Sequence, residues 1–144
     1  MAQSPAVDAW ESLFRAQVSM ARYLNGTFPK EVSFNEYDVL FNLSRQPDRA
    51  CRLRELTDRV LLTQPSISRL VDRLVGRGWL AKHPDELDGR GTIVQMTDAG
   101  LAVYRDIARV HARAIESRIG GALDTDELDE LRALCERVRL SADT

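Results

Sequence analysis

Residues Leu62 to Leu80 read LTQPSISRLVDRLVGRGWL, and their apolar members recur every three or four positions. This spacing predicts an amphipathic α-helix from Gln64 to Val75, with one apolar stripe turned towards a core. Thr63 is placed to cap the N-terminus of this helix, and Gly76 and Gly78 are placed to end it. The predicted stripe consists of Ile67, Leu70, Val71, Leu74 and Val75, and the polar face of Pro65, Ser66, Ser68, Arg69, Asp72 and Arg73.

The segments on either side of this helix indicate a winged helix-turn-helix. A short helix, from about Leu53 to Val60, precedes it through a tight connection. Two strands follow, at residues 79–83 and 92–96, and the polar loop 84–91 joins them into a hairpin. Two helices joined by a tight turn and followed by a β-hairpin are the arrangement with which many proteins bind double-stranded DNA.

Capping signals predict helices in the rest of the chain. Apolar residues at helical spacing run from Ala9 to Leu24, and a capping box at Ser33 and Glu36 opens a helix that stops before Pro47. Thr97 caps a long helix, which we expect to end at the two glycines 120 and 121. A second capping box opens the last helix at residues 124–127. The predicted fold is therefore mostly α, with a small β-hairpin wing.

This order of elements predicts one domain with two functional parts. We expect residues 33–98 to form the winged helix-turn-helix lobe, and the helices within 8–27 and 99–141 to form a homodimer. Apolar residues such as Phe14 and Leu134 would otherwise remain exposed in so small a fold, and they need a partner surface.

The charge of the chain is unevenly distributed. Between Arg45 and Lys82 there are nine basic and four acidic residues, an excess of five positive charges. The net charge is −2, so the remainder of the chain carries −7. Such asymmetry favours a local surface for a polyanion on an otherwise acidic molecule, although a solvated basic face would have the same composition.

Other functional classes find little support in the sequence. No stretch approaches the roughly 20 apolar residues that a membrane span needs, and the N-terminus lacks the basic segment of a secretory signal. The two cysteines, Cys51 and Cys135, have no metal-binding spacing with His83 and His111. We expect a reduced cytoplasmic protein without metal or cofactor, and no enzyme, because no nucleophile motif or phosphate loop is present.

Three motifs in register give a resemblance to a known family. The stretch from Leu62 to Leu80 resembles the recognition helix and first wing strand of the MarR (multiple antibiotic resistance regulator) family. The segment DGRG, residues 88–91, resembles the wing tip of that family, and VQMTDAG, residues 94–100, resembles its returning strand and the beginning of its long helix. The order of elements is similar from about Asp8 to Leu140.

The resemblance implies a transcription regulator, expected to be a repressor relieved by a small aromatic or lipophilic effector. It also implies an obligate dimer on a pseudo-palindromic operator, with a recognition helix in the major groove and a wing arginine in the minor groove. By motif position Pro65, Ser66 and Arg69 would contact bases, and Arg90 would be the wing arginine. Further DNA contacts, chosen from position, face and charge, are Arg54, Thr63, Gln64, Ser68 and Arg73.

The sequence departs from the family pattern in two places. Arg52 stands where a Ser or Thr would more usually cap the short helix. Asp85 and Glu86 lie in the wing, where we expect their carboxylates to repel phosphates. We also expect Asp88 to orient an arginine, with Arg90 as the candidate.

The sequence also suggests a pocket for an effector and leaves two alternative functions open. Trp10, Phe14, Tyr37 and His111 could line a pocket, although aromatic residues at helical spacing more often form core or dimer interface, and we favour a hydrogen-bonded structural role for His111. A winged helix can also serve as a protein-interaction module. A cysteine-based redox sensor is the other alternative, which small, buried cysteines would not support.

Overall fold

The computed structural model describes residues 4–61 and 64–144, which form six α-helices and three β-strands. The fold class predicted from the sequence is confirmed. The helices are α1 (Pro5–Asn25), α2 (Phe34–Ser44), α3 (Leu53–Arg59), α4 (Gln64–Gly76), α5 (Asp98–Ala122) and α6 (Thr125–Ala142), and the strands are β1 (Ala50–Arg52), β2 (Leu80–Pro84) and β3 (Thr92–Met96).

Three of the predicted caps, Ser33, Thr97 and Asp124, begin the helices they were assigned to. The Ser33 hydroxyl accepts a hydrogen bond from the Glu36 backbone N–H at 3.1 Å, and the Thr97 hydroxyl accepts one from that of Gly100 at 3.0 Å. Asp124 and Glu127 form a reciprocal capping box at 2.9 and 3.1 Å. Each bond satisfies an N–H that the first helical turn leaves without a partner. As expected, Arg52 precedes α3 without a side-chain cap.

The sheet has one strand more than the predicted hairpin. Its order is β1-β3-β2, and both pairs are antiparallel, with Cys51 and Lys82 on opposite sides of Val94. β1 is only three residues long, so alternation along it carries almost no signal. The turn before β1 places Asp48 and Arg49 at φ values of 55° and 56°, a left-handed conformation that a sequence pattern does not reveal.

Two helix boundaries differ from the prediction, since α1 begins at Pro5 rather than Ala9 and the end of α5 was placed too early. α5 continues through Gly120 and Gly121 to Ala122, and the helix ends only where Asp124 caps α6. A glycine in a helix costs about 1 kcal/mol relative to alanine but does not prevent helical geometry. The two glycines therefore weaken the end of α5 without ending it.

A single apolar core holds the winged helix-turn-helix elements together. The residues that are only 0–2% exposed come from α2, α3, α4 and the sheet. This core fixes α4 relative to the wing. By contrast, α1 and α6 contain no buried residue. None of the helices in the two described segments is long and apolar enough to cross a membrane. The largest fully buried side chains are Leu40, Leu43, Leu56, Ile67, Leu74, Met96, Val39, Val71 and Val94.

Candidate nucleic-acid interface

The two faces of α4 are those that the sequence predicted. The apolar stripe is buried in the core, with Ile67 and Leu74 fully inaccessible. Gln64 is the first residue of the helix, whereas Thr63 lies outside the described residues. The exposed residues of the opposite face are Pro65, Ser66, Ser68, Arg69, Asp72 and Arg73. Hydroxyls and arginines are thus presented together on one accessible helix surface.

Four of the basic residues between Arg45 and Lys82 are engaged in ion pairs. These pairs join separate elements and contribute to the architecture. They are Arg49–Asp98 at 2.9 Å, Arg52–Asp85 at 2.6 Å, Arg77–Glu36 at 2.7 Å and Lys82–Asp72 at 2.5 Å.

The arginines that the sequence assigned to DNA are among those without ion pairs. Arg54, Arg69, Arg73 and Arg90 are exposed, and none of them forms an ion pair with a residue of the described segments. Two further arginines, Arg45 after α2 and Arg59 at the end of α3, share both properties and were not selected from the sequence. In the sequence, the only feature that pointed to a DNA contact was the positive charge, and the arginines in ion pairs carry the same charge. The local positive charge is therefore concentrated on α3, α4 and the wing.

Arg54 and Arg90 line one groove between the beginning of α3 and the wing tip. The groove has a volume of about 370 Å³, and its other lining residues are Arg52, Leu53, Asp88, Gly91 and Thr92. The two arginines are 36 positions apart in sequence, so only the fold brings them together. The groove thus holds three guanidinium groups, of which that of Arg52 is paired with Asp85, and its excess of positive charge attracts an anionic strand.

Hydrogen bonds within the loop fix the wing tip. The Asp85 N–H donates to the Gly91 carbonyl at 3.0 Å, and the Gly91 N–H donates to the Asp88 carbonyl at 2.8 Å. The Asp88 carboxylate accepts from the backbone N–H of Arg90 at 3.2 Å. Asp88 therefore acts on Arg90, the candidate expected from the sequence, through its backbone N–H. Asp88 fixes the backbone of Arg90, because a short acidic side chain binds an N–H two residues on.

The structure corrects the expectation for Asp85. Its side chain is only 6% exposed and accepts a hydrogen bond from Arg52 Nε at 2.6 Å, so it does not face phosphates. Its other carboxylate oxygen accepts from the Leu87 N–H at 3.0 Å. These bonds, that of Leu87 foremost and then that of Arg52, lower the pKa of Asp85 below its ordinary value. Glu86 remains exposed, as expected.

Tyr37 and His111 of the predicted effector pocket lie together between α2 and α5. Their ring centroids are 4.8 Å apart, and the ring of Phe28 stacks on His111 at 5.0 Å. Burial, and then the neighbouring Tyr104, raises the pKa of Tyr37 to about 12. The sequence did not indicate Phe28, because it lies in a loop where no periodicity marks it.

His111 is buried, but not in the way that was favoured. It was expected to be a hydrogen-bonded structural histidine, yet its Nδ1 atom is buried and has no hydrogen-bond partner in the described segments. Aromatic rings surround it instead, and burial lowers its pKa. An imidazole without a charged neighbour in contact is stabilised in its neutral form by this desolvation.

The other two pocket residues lie elsewhere. Trp10 and Phe14 pack against each other on α1, with ring centroids 5.8 Å apart, and are 57% and 50% exposed. They line an apolar groove of about 450 Å³ with Cys135 and Val138 of α6. Within one chain the four predicted residues therefore do not form one pocket, because α1 meets the end of α6 here while Tyr37 faces α5.

The cysteines differ in their surroundings. Cys51 is buried in the core, and burial, followed by the nearby Glu55, raises the pKa of its thiol. A raised pKa reduces the thiolate fraction that reacts with oxidants. Cys135 is half-buried in the groove between α1 and α6.

Comparison with known proteins places this geometry in a family. The model of the MarR family matches residues 31–91. The HTH-type transcriptional regulator PecS of Dickeya dadantii is 30% identical over 129 residues, which cover 88% of this chain and 77% of PecS. The crystal structure of the transcriptional regulator PcaV from Streptomyces coelicolor, in complex with its natural ligand, is 30% identical, with a TM-score of 0.82 over 99% of both chains.

A structure with DNA shows the same fold at lower identity. Sco3205, a MarR family transcriptional regulator from Streptomyces coelicolor in complex with DNA, superposes with a TM-score of 0.86 and is 23% identical, over 96% of this chain and 88% of that one. The family model covers the lobe that carries α4 and the wing, and PecS and PcaV extend the match to the terminal helices. The chain therefore belongs to the MarR family of DNA-binding transcriptional regulators.

Proposed function

We propose that this chain acts in the cytoplasm as a homodimer that binds a pseudo-palindromic operator and represses transcription until a small aromatic effector releases it. The observation that carries the DNA-binding part is the group of exposed arginines, Arg54, Arg69, Arg73 and Arg90, that form no ion pair with a residue of the described segments. They lie on α3, α4 and the wing, while the other cations of the same lobe, apart from Arg45 and Arg59, are paired internally. Unpaired guanidinium groups on adjoining elements match a polyanionic strand.

The exposed face of α4 supplies the proposed base contacts. Ser66 and Arg69 lie in its first two turns, where a recognition helix meets base edges. An arginine can donate to guanine O6 and N7 together, and a serine hydroxyl can donate or accept. Arg73 lies one turn further along and is proposed to bind phosphate with Arg54.

The wing supplies a contact to the minor groove. Arg90 is exposed at the tip between Gly89 and Gly91, and the open space around Gly89 leaves the backbone free to approach DNA closely. An arginine is attracted to a narrow, A·T-rich minor groove by the enhanced negative potential there.

The terminal helices support dimerisation. Neither α1 nor α6 buries any residue within one chain, although both carry large apolar side chains. A stripe of this kind requires a covering surface, and a two-fold dimer provides it with the same helices of a second copy. The exposed apolar residues of the two helices are Val7, Trp10, Phe14, Leu131, Leu134, Val138 and Leu140.

The effector is proposed from the aromatic cluster of Phe28, Tyr37, Tyr104 and His111. The cluster lies between α2 of the DNA-binding lobe and α5, so a planar ligand that enters it would alter how the lobe sits on the long helix. The relative PcaV was crystallised with its natural ligand, which supports regulation by a small molecule here. The buried Nδ1 of His111, which has no hydrogen-bond partner among the described residues, is available to a polar group of that ligand.

DNA selection from a random pool, followed by footprinting, tests the proposal. We expect protection of two inverted half-sites about one helical turn, roughly 10 bp, apart, and light scattering should give the mass of a dimer. Protection of a single asymmetric half-site, or a monomeric mass, would contradict two-fold docking. Failure to select any sequence would contradict the DNA-binding proposal itself.

A further inference from the structure

We propose that Leu87, at the tip of the wing, is a second DNA-contacting residue of the wing. Its apolar side chain enters the minor groove beside Arg90 and adds affinity that does not depend on charge. The inference rests on the proposed function, since it assumes that the wing approaches an operator.

The exposure of Leu87 is the starting observation. Leu87 is 91% exposed, more than any other large apolar residue in the described part of the chain. Leu61, before α4, is 78% exposed, and the remaining exposed apolar residues lie on α1, α5 and α6. The proposed dimer surface on α1 and α6 therefore accounts for most of the exposed apolar residues but not for Leu87, which belongs to the opposite lobe.

The position of Leu87 is fixed by hydrogen bonds. Its backbone N–H donates to Asp85 Oδ1 at 3.0 Å, and the Asp85 N–H donates across the loop to the Gly91 carbonyl at 3.0 Å. Arg52 holds the other Asp85 carboxylate oxygen at 2.6 Å. Because the backbone is already ordered, little conformational entropy remains to be lost when the tip binds a partner.

The surroundings of Leu87 argue against a protein partner at the wing tip, and the nearby arginines supply the attraction to DNA. Its neighbours Glu86 and Asp88 are exposed and acidic, and Gly89 has no side chain, so no contiguous apolar patch exists at the tip. A protein interface requires a buried apolar centre surrounded by further contacts. Arg90, three residues further on, lines the groove with Arg54 and draws the tip towards a polyanion.

The minor groove fits an isolated apolar side chain. Minor-groove proteins place single Leu, Ile, Phe, Met or Pro side chains between or against base steps, next to arginines that neutralise the phosphates. At the wing tip, Leu87 and Arg90 supply this combination within four residues. We therefore assign Leu87 to apolar contact and Arg90 to electrostatic contact in the same groove.

A salt titration with the full-length protein and its selected operator separates the two contributions. Leu87→Ser should weaken operator binding about tenfold, the loss expected when part of a leucine side chain is no longer buried. The slope of log K against log salt should stay unchanged, because no counterion is released by an apolar side chain. Arg90→Ala serves as the contrast, since it should reduce that slope. Leu87→Met should retain affinity within about twofold of wild type.

Several results would overturn the inference. Operator affinity of Leu87→Ser within about twofold of wild type, or a loss accompanied by a reduced salt slope, would show that Leu87 makes no apolar contact with DNA. A changed dimer mass would place Leu87 in a protein interface instead, and a lowered melting temperature would indicate a structural role. If the wild-type protein binds no DNA, the proposed function fails as well. If the wild type binds and Leu87→Ser binds equally, only this inference fails.

Discussion

Arg52 Nε lies 2.6 Å from Asp85 Oδ2 and so joins the last residue of β1, directly before α3, to the loop of the wing. The pair spans 33 positions of the chain. Asp85 also accepts from the Leu87 N–H, and its own N–H closes the loop on Gly91. One buried carboxylate thus sets the position of the wing relative to the helices that precede it.

The first prediction concerns the sign of the effect of Asp85→Asn. If Asp85 positions the wing, the variant should lower operator affinity by about tenfold, because an ordered binding loop becomes less preorganised. If Asp85 repelled phosphates, as the sequence alone suggested, the same variant would raise affinity. A shift assay on the selected operator decides between the two signs, and Glu86→Gln, an exposed neighbour, serves as the control.

Interactions between residues close in sequence could be predicted, whereas contacts between residues distant in sequence could not. The sequence predicted the caps at Ser33 and Asp124 and the apolar stripe of α4, because each depends on residues three or four positions apart. The pairing of Arg52 with Asp85 was not readable, since it depends on how β1 is placed beside the wing. Phe28 was missed for the same reason, because its contact with His111 crosses more than half of the chain.

The second prediction concerns base recognition by Arg69. Arg69→Ala should relax preference at one position of each half-site and cost about 1–3 kcal/mol at the preferred base. Binding to operators already mutated at that position should change little. Equal weakening on all sequences would instead identify Arg69 as a phosphate contact. Affinities for a panel of single-base operator variants provide the measurement.

The third prediction concerns Arg90. Arg90→Ala should weaken operator binding at moderate salt and reduce the salt slope by about 1, because one cation no longer displaces counterions. The melting temperature should be nearly unchanged, since the side chain is exposed and forms no ion pair with the described residues. An affinity within about twofold of wild type would mean that the wing arginine does not contact DNA in this protein.

The fourth prediction concerns Gly100 at the beginning of α5. A Cβ at this position would lie 2.1 Å from the Trp79 carbonyl oxygen and 2.9 Å from its carbonyl carbon. Gly100→Ala should therefore push α5 away from the turn before β2 and destabilise the fold by about 1–3 kcal/mol. Gly120→Ala, in the same helix but with nothing within 4 Å, should leave stability unchanged or raise it. Thermal unfolding compares the two, and equal melting temperatures would contradict this packing.

The fifth prediction concerns the pH dependence of stability and depends on His111. Burial lowers its pKa in the folded state, so the unfolded chain binds the proton more tightly. The contribution of neutral His111 to the free energy of unfolding should be fully present above the unfolded-state pKa of about 6.5. It should be lost as the pH falls towards the folded-state pKa, and each unit of difference between the two pKa values corresponds to about 1.4 kcal/mol. The lowered pKa of Asp85 acts only in a more acidic range, below the ordinary carboxyl value of 3.8.

The matched variant for this prediction is His111→Phe, which keeps an aromatic ring between Phe28 and Tyr37 but carries no titratable group. Denaturant unfolding of both proteins, at fixed protein concentration, between about pH 7.5 and about pH 5.5 covers the range in which an imidazole titrates. Wild type should lose stability across this range, and the variant should lose less. Parallel curves would show that His111 finds a partner for its charged form, and the neutral, buried state inferred from its surroundings would then be wrong.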